Sequence, residues 1–313
     1  MRIPFPLLFA VTIAFVGCAG ERESTDRGAL NVVATIGMIG DAATEIGGDR
    51  VHVTTLMGPG VDPHLYKASA GDVRRLGDAD LILYNGLHLE AKLGDVLSEM
   101  RGQVLTVAVA DVVPIERRLR PPEFEGAYDP HVWFDVELWM GVVGAIREAL
   151  IERDPPHAEE YRSRATTYIE RLTALHEEVR QTAESVPANR RVLVTAHDAF
   201  NYFGRAYGFE VRGLQGISTQ SEAGAGDVKA LAEFIAERRI PAIFVESSVS
   251  PRAIEAVKAA VAARGFAVKI GGELFSDALG SPGTGAETYV GMVLHNVQTI
   301  AAALTAEEVT ASQ

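Results

Sequence analysis

Residues 156–186 read PHAEEYRSRATTYIERLTALHEEVRQTAESV, a run without glycine that is bracketed by Pro155-Pro156 on one side and Pro187 on the other. Its apolar residues recur at spacings of three and four, which places them on one face of an α-helix. Roughly 30 residues at 1.5 Å each predict a helix about 45 Å long, the length of a small domain. We therefore expect one long rigid helix that links two halves of the chain. The residues on its apolar face are Tyr161, Ala165, Tyr168, Leu172, Leu175 and Val179.

Strand and helix patterns alternate on both sides of this helix. In the N-terminal half, strand patterns lie at 30–36, 51–57, 81–84 and 103–109, with helical patterns at 39–46 and 69–76. In the C-terminal half, they lie at 191–195, 209–214, 243–246 and 267–270, with helical patterns at 199–207, 226–239, 251–264 and 285–304. Strands separated by helices pair in parallel. The predicted fold class is α/β, with two lobes of mainly parallel sheet joined by one long rigid helix.

The first residues are typical of an export signal. Met1-Arg2 supplies one positive charge, and an apolar run of about 15 residues follows, which is too short to span a bilayer comfortably. Phe15-Val16-Gly17-Cys18 resembles the processing site of a bacterial lipoprotein, although Phe15 stands where leucine is usual. We predict a signal peptide at 1–17 and a lipidated tether at 18–28. An ordinary signal peptide and an uncleaved anchor are the alternatives.

The length of the remaining chain predicts two domains. About 285 residues follow the tether, more than one hydrophobic core usually supports. We predict an N-terminal lobe at 29–154, the linking helix at 155–187 and a C-terminal lobe at 188–313.

Composition excludes several classes of protein and of site. The 29 Lys and Arg residues against 42 Asp and Glu residues give a net charge of −13, and no basic patch indicates nucleic-acid binding. Cys18 is the single cysteine, so the exported body has neither a disulfide nor a thiolate ligand. Any metal site is therefore built from His, Asp and Glu.

Four candidate metal ligands lie on short loops, two in each half of the chain. They are His64, His131, His197 and Asp277. Three neutral imidazoles and one carboxylate complete a tetrahedral set for Zn²⁺, or most of a shell for Mn²⁺. His64 and His197 follow predicted strands, where ligands gather in parallel α/β sheets. A site assembled in this way lies between the two lobes. Glu273 competes with Asp277 for the fourth position.

Other titratable residues are given weaker roles. His88 follows the third predicted strand and could approach the site, but packing or hydrogen bonding beside it is favoured. Glu246, at the end of a strand, is a candidate for the group that orients a ligand imidazole. We expect the remaining histidines to be structural or solvent-facing: His52, His157, His176 and His295.

Six motifs occur in order along the mature body: GVDPH at 60–64, YNGLHLE at 84–90, DPHVW at 129–133, AHDAF at 196–200, GLQGIS at 213–218 and GGELFSDALG at 271–280. Together they resemble the zinc- and manganese-binding solute-binding lipoproteins of bacterial ABC transporters, most of all the TroA type. The resemblance implies two α/β lobes with a metal ion held at their interface by His64, His131, His197 and Asp277. It also implies capture of Zn²⁺ or Mn²⁺ outside the cytoplasm and delivery to a permease in the membrane.

The choice of metal is less clearly indicated. In the family that this chain resembles, a histidine at the position of His197 is typical of zinc-binding and TroA-type members, whereas glutamate there goes with manganese specialists. Nitrogen ligands and a low coordination number favour Zn²⁺. However, the segment 116–126 before the second ligand contains no histidine, whereas dedicated zinc importers often carry a His-rich loop there. We therefore expect a mixed Zn²⁺/Mn²⁺ binder.

Two other classes of metal-binding protein are alternatives. A metal-dependent hydrolase needs an open coordination position and a nearby base, for which Glu273 or Asp198 is available. Four protein ligands leave a tetrahedral Zn²⁺ no such position, and the chain has no compact His-Glu-x-x-His motif. A surface adhesin is compatible with metal binding. We expect no enzyme activity, and a monomer anchored by lipid on Cys18 in the periplasm or at the cell surface.

Overall fold

The computed structural model describes residues 28–121 and 126–306. The signal peptide predicted at 1–17, the lipidation site at Cys18 and nearly all of the tether at 18–28 lie outside these residues. Within the described ranges, no helix is both long enough and apolar enough to cross a membrane.

The N-terminal lobe is built on a parallel sheet, as the alternating pattern predicts. Its strands are β1 (Leu30–Ala34), β2 (Val51–Thr55), β3 (Leu81–Tyr84) and β4 (Leu105–Ala108). They follow the order β2-β1-β3-β4, and every described pairing is parallel. β3 is buried along its whole length because helices cover both faces of such a sheet. The helices are α1 (Gly37–Gly47), α2 (Ala70–Gly77), α3 (Gly94–Met100) and α4 (Val136–Arg153).

The C-terminal lobe repeats this architecture with two parallel strand pairs. Its strands are β5 (Val192–His197), β6 (Glu210–Gln215), β7 (Ala242–Glu246) and β8 (Lys269–Leu274). β5 pairs with β6 and β7 pairs with β8, while β5 also lies close beside β7. The helices are α6 (Asn201–Tyr207), α7 (Ala225–Arg238), α8 (Arg252–Ala262) and α9 (Tyr289–Thr305).

The long linking helix is confirmed. It is α5 (Ala158–Ser185), and a short 3₁₀ turn at Pro155–His157 precedes it. All six residues predicted for its apolar face are buried. This face packs against α1 and α4 of the N-terminal lobe and against α6 and α9 of the C-terminal lobe. The helix therefore belongs to the hydrophobic core of both lobes and is not an exposed connector.

Two helices were missed by the sequence patterns. α3 is short, but α4 has 18 residues and fills the space between the N-terminal sheet and the linking helix. Asp135 caps α4, since its carboxylate accepts hydrogen bonds from the backbone N–H groups of Glu137 and Leu138. The helix contacts α1 and α5 at the same time, so apolar residues are not confined to one narrow stripe.

Aromatic side chains join the two lobes in one continuous core. Phe134 of the N-terminal lobe stacks on Phe200 of the C-terminal lobe, with ring centroids 4.2 Å apart. Trp139 on α4 stacks on Tyr289 at the start of α9, with centroids 5.1 Å apart. All four rings are buried. A large apolar interface of this kind opposes free relative motion of the lobes.

Candidate metal centre

The four predicted ligands come from both lobes and meet at their interface. His64 lies on the loop that follows β2, and His131 directly precedes a 3₁₀ turn that leads into α4. His197 is the last residue of β5, and Asp277 follows β8 by three residues. All four side chains are buried.

Their candidate ligand atoms converge on one point. The Nε2 atoms of His64 and His131 are 3.3 Å apart. The Asp277 carboxylate oxygens lie 3.7 Å from Nε2 of His64, 3.4 Å from that of His131 and 3.3 Å from that of His197. One ligand atom from each of the four residues falls within 4.8 Å of all the others, in the single group of this kind found among the described residues.

These distances fit a tetrahedral metal ion. Ligand atoms about 2.0–2.1 Å from a tetrahedral Zn²⁺ lie about 3.3–3.4 Å from one another. In addition, His197 Nε2 and both Asp277 carboxylate oxygens are buried and have no hydrogen bond of ordinary geometry to any of the described residues. Buried polar atoms usually have a partner, because an unpaired one costs about 1–3 kcal/mol. A metal ion bound at the centre would supply a partner for His197 Nε2 and for the Asp277 carboxylate.

Two of the imidazoles are oriented by buried carboxylates. The Nδ1 of His131 lies 2.8 Å from Asp129 Oδ1, and the Nδ1 of His197 lies 2.6 Å from Glu246 Oε2. A carboxylate in that position accepts the Nδ1 proton, so that the Nε2 lone pair faces the centre. The same carboxylates accept the backbone N–H of their histidines, at 2.9 Å in both cases. Both imidazoles are thus held in the orientation that a metal ion requires.

His64 is held differently. Its backbone N–H donates to Asp62 Oδ1 at 2.8 Å, which closes an Asx turn through Pro63. The other Asp62 oxygen accepts a 2.5 Å hydrogen bond from the Thr219 hydroxyl of the C-terminal lobe. Asp62 therefore sets the backbone of its loop and ties that loop to the opposite lobe.

The three imidazoles differ in proton affinity. Burial lowers the pKa of His64 to about 3, a shift that the Asp277 carboxylate opposes and the neighbouring imidazoles reinforce. Burial opposes protonation of His131 as well, but the Asp129 and Asp277 carboxylates outweigh it and raise its pKa to about 8. In the metal-free protein at neutral pH, these shifts favour the neutral form of His64 and the cationic form of His131.

His197 and Asp277 are shifted in opposite directions. Burial disfavours the charged form of His197, yet the Glu246 and Asp277 carboxylates raise its pKa well above the ordinary value. Burial also disfavours ionised Asp277, but the neighbouring His197 and His131 hold its pKa well below the ordinary range. A metal ion entering the centre therefore meets an ionised carboxylate and displaces imidazole protons.

The competing candidates do not reach this centre. Glu273 is outside the group, and its backbone carbonyl accepts a hydrogen bond from His295 at 3.1 Å. His88 is exposed and lies beside a separate 440 Å³ cleft in the N-terminal lobe. The Oδ1 atom of Asp198 accepts a 2.6 Å hydrogen bond from the backbone N–H of Gly213.

The remaining histidines also lie apart from the group. His52 is exposed on β2, in keeping with its alternating position in that strand. His157 and His176, expected to face solvent, are instead partly buried, because their Nδ1 atoms are hydrogen-bonded to Asp154 and to the Tyr207 hydroxyl.

A buried set of three imidazoles and one carboxylate between two α/β lobes defines a two-lobed metal-binding protein. The family described as zinc-uptake complex component A, periplasmic, matches residues 32–303. The chain belongs to this family.

Similar proteins span almost the whole chain. The zinc-binding protein TroA of Treponema pallidum is 55% identical over 298 residues, which cover 95% of this chain and 96% of the relative. The manganese-binding lipoprotein MntA of Bacillus subtilis is 48% identical over 300 residues, 95% of this chain and 97% of the relative. The family consists of solute-binding proteins and not of enzymes, so the hydrolase hypothesis is not supported.

Solved structures agree with the fold. The periplasmic zinc-binding protein TroA from Treponema pallidum superimposes with a TM-score of 0.87 at 57% identity, over 89% of this chain and 100% of that chain. A manganese-bound mutant of a periplasmic metal-binding protein from Candidatus Liberibacter asiaticus gives a TM-score of 0.78 at 27% identity, over 88% and 99% of the two chains. The predicted two-lobed α/β architecture with one long helix is confirmed.

Proposed function

We propose that this protein captures Zn²⁺ or Mn²⁺ outside the cytoplasm and delivers it to the permease of an ABC importer. The ligands are His64, His131, His197 and Asp277. The observation that carries the proposal is the convergence of their buried ligand atoms, with four residue pairs 3.3–3.7 Å apart and one atom from each of the four residues within 4.8 Å of all the others. The lobes that supply them are assigned to 29–154 and 188–313, on either side of the linking helix at 155–187.

Both metals fit the proposal. Three nitrogen ligands and a low coordination number favour Zn²⁺, which also ranks above Mn²⁺ in intrinsic affinity. Relatives of both kinds are similar to this chain, since TroA is named for zinc and MntA for manganese. We therefore assign a mixed specificity, with tighter binding of Zn²⁺.

Attachment to the membrane is part of the proposal. The family works with ABC transporter components, and the relatives named lipoproteins support a lipid anchor. We assign that anchor to Cys18, after removal of residues 1–17, and we assign the protein a monomeric state. The tether at 18–28 then leaves the two lobes at the membrane surface, within reach of the permease.

Elemental analysis and metal titration test the central assignment. Protein purified without added metal is first analysed for its metal content. It is then stripped with a chelator and titrated with Zn²⁺ and with Mn²⁺ in separate experiments. We expect one equivalent of either ion and a higher melting temperature on loading, since a ligand at a thousandfold excess over Kd stabilises the native state by about 4 kcal/mol. Absence of saturable binding of both ions would contradict the proposal.

The lipid anchor is tested separately. Cys18→Ser is expected to release the protein from the membrane fraction while leaving its metal affinity unchanged, because Cys18 precedes both lobes. Membrane association of that variant, equal to that of the unchanged protein, would remove Cys18 as the attachment point without affecting the metal site.

A further inference from the structure

Trp133 lies two residues after one ligand and reaches across to the loop that carries another. Its indole N–H donates a 3.0 Å hydrogen bond to the backbone carbonyl of Ser276, the residue before Asp277. Both residues are fully buried. One side chain from the N-terminal lobe thus holds the backbone beside a ligand of the C-terminal lobe.

A second hydrogen bond crosses the interface in the opposite direction. The Tyr289 hydroxyl, from the first residue of α9, donates to the backbone carbonyl of Trp133 at 2.7 Å. Trp133 is therefore bonded to the C-terminal lobe through both its side chain and its backbone. Its ring also packs edge-on against the His131 imidazole, with ring centroids 5.2 Å apart.

The Asp277 loop is also fixed from within its own lobe. Asn296 on α9 accepts from the backbone N–H of Phe275 at 2.9 Å and donates to the Phe275 carbonyl at 2.7 Å. Phe275 is thus tied to α9, and the next residue, Ser276, is tied to Trp133. The backbone that leads to Asp277 is held from both lobes.

We propose that Trp133 is a positioning residue that sets the separation between His131 and Asp277 across the lobe interface, and so preorganises the metal site. The proposal rests on the proposed function, because it concerns the same four ligands. Its physical basis is that a ligand set held in place before binding loses less conformational freedom when the ion enters. Removal of the indole N–H is then expected to weaken metal binding although no ligand is lost.

The chain offers a matched control. Trp139 is equally buried and stacks on the Tyr289 ring, and its indole N–H has no hydrogen-bond partner among the described residues. Trp133→Phe and Trp139→Phe remove the same atoms from the same core, but only the first removes a hydrogen bond between the lobes. Tyr289→Phe removes the second crossing bond without changing the shape of the core.

The test measures Zn²⁺ affinity by chelator competition, and the visible spectrum of Co²⁺ as a probe of coordination geometry, in the full-length chain. We expect Trp133→Phe to raise the Zn²⁺ Kd by about 3- to 10-fold, as for loss of one buried hydrogen bond. Its Co²⁺ bands are expected to lose the intensity of a tetrahedral complex. Tyr289→Phe is expected to act in the same direction, and Trp139→Phe to match the unchanged protein in both measurements.

Equal Kd values and equal Co²⁺ spectra for Trp133→Phe and Trp139→Phe would overturn the positioning role alone. Failure of the unchanged protein to bind Zn²⁺ would overturn the proposed function, and this inference with it. If Trp133→Phe does not fold, incorporation of benzothienylalanine at 133 replaces the indole N–H by sulfur at nearly constant shape. Unweakened Zn²⁺ binding by that protein would also overturn the proposal.

Discussion

The tripeptide Asp-Pro-His occurs twice in this chain, at 62–64 and at 129–131, and the two copies hold their histidines in different ways. In both, the aspartate accepts the backbone N–H of the histidine two residues later, at 2.8 and 2.9 Å. Only the second aspartate also lies within hydrogen-bonding distance of its histidine ring, at 2.8 Å. The other oxygen of each aspartate accepts a hydrogen bond from the C-terminal lobe, at 2.5 Å from the Thr219 hydroxyl for Asp62 and at 3.0 Å from the Asn201 amide for Asp129.

The difference separates two roles that one short motif can perform. The Asx turn depends on backbone geometry alone, so both copies form it. The contact with the ring places a negative charge beside the His131 imidazole, whose pKa is raised to about 8. His64 lacks that contact, and burial lowers its pKa to about 3. Two copies of the same tripeptide thus provide one imidazole that favours the cationic form in the metal-free protein and one that favours the neutral form.

Removal of either histidine is expected to have the largest effect. Binding of a structural Zn²⁺ contributes about 10–16 kcal/mol over four ligands, so each ligand accounts for roughly 100- to 1,000-fold in affinity. We expect His64→Ala and His131→Ala each to raise the Zn²⁺ Kd by about that factor in chelator competition. His176→Ala, on the linking helix, serves as the control. Unchanged affinity in either of the first two would remove that residue from the site.

The two aspartates provide a direct test of the comparison. Loss of a carboxylate that orients a metal ligand typically costs about 10- to 100-fold in metal affinity. We expect that loss for Asp129→Asn, because it removes the charge beside the His131 ring, and a smaller loss for Asp62→Asn. Equal effects of the two substitutions on the Zn²⁺ Kd would show that the motifs act alike.

Proton release on metal binding distinguishes His131 from His64 without substitution of either histidine. The raised pKa values of His131 and His197 favour their cationic forms in the metal-free protein, whereas the lowered pKa of His64 favours its neutral form. Zn²⁺ binding is therefore expected to release protons, and affinity to weaken as pH falls from about 8 to 6. Calorimetry in buffers of different ionisation enthalpy counts these protons. Asp129→Asn should lower the count at pH 7, whereas Asp62→Asn should leave it unchanged.

The same shifts contribute to the stability of the metal-free protein with opposite signs. The raised pKa of His131 stabilises the fold fully below pH 6.5, and this contribution is lost as pH rises through about 8. The lowered pKa of His64 stabilises the fold above pH 6.5, and this contribution is lost as pH falls toward 3. Denaturant unfolding from pH 6 to 9 should therefore show a decline that His131→Gln reduces and His64→Gln does not.

The smallest effect is expected at the bond between the first loop and the opposite lobe. Thr219→Val removes the hydroxyl that donates to Asp62 while keeping the size of the side chain. We expect the Zn²⁺ Kd to rise by about two- to fivefold, as for a single hydrogen bond. A rise as large as that of Asp129→Asn would mean that this bond, and not the ring contact, controls the site.

Much of the fold was predictable because its signals are local. The linking helix combines a regular apolar period with prolines at both ends, and the strands of both lobes are short runs of β-branched residues between turns. α4 was missed because it is buried against two neighbours at once, so that its apolar residues do not form one stripe.

The site was predictable only in part. The ligands His64, His131, His197 and Asp277 were proposed from loop position and from a family resemblance, and Glu246 was a candidate partner. The separate roles of Asp62 and Asp129 were not foreseen, since the two tripeptides are identical and the ring contact depends on the path of each loop. The bond from Trp133 to Ser276 joins residues 143 positions apart and has no local signal.

The position of Trp133 also provides an optical reporter. The chain contains two tryptophans, and one of them packs edge-on against the imidazole of a proposed ligand while the other stacks on tyrosine. Trp139→Phe therefore leaves a single indole whose emission is sensitive to loading of the site. Closed-shell Zn²⁺ and paramagnetic Mn²⁺ are expected to alter that emission differently, so one unlabelled protein distinguishes its two metals by fluorescence.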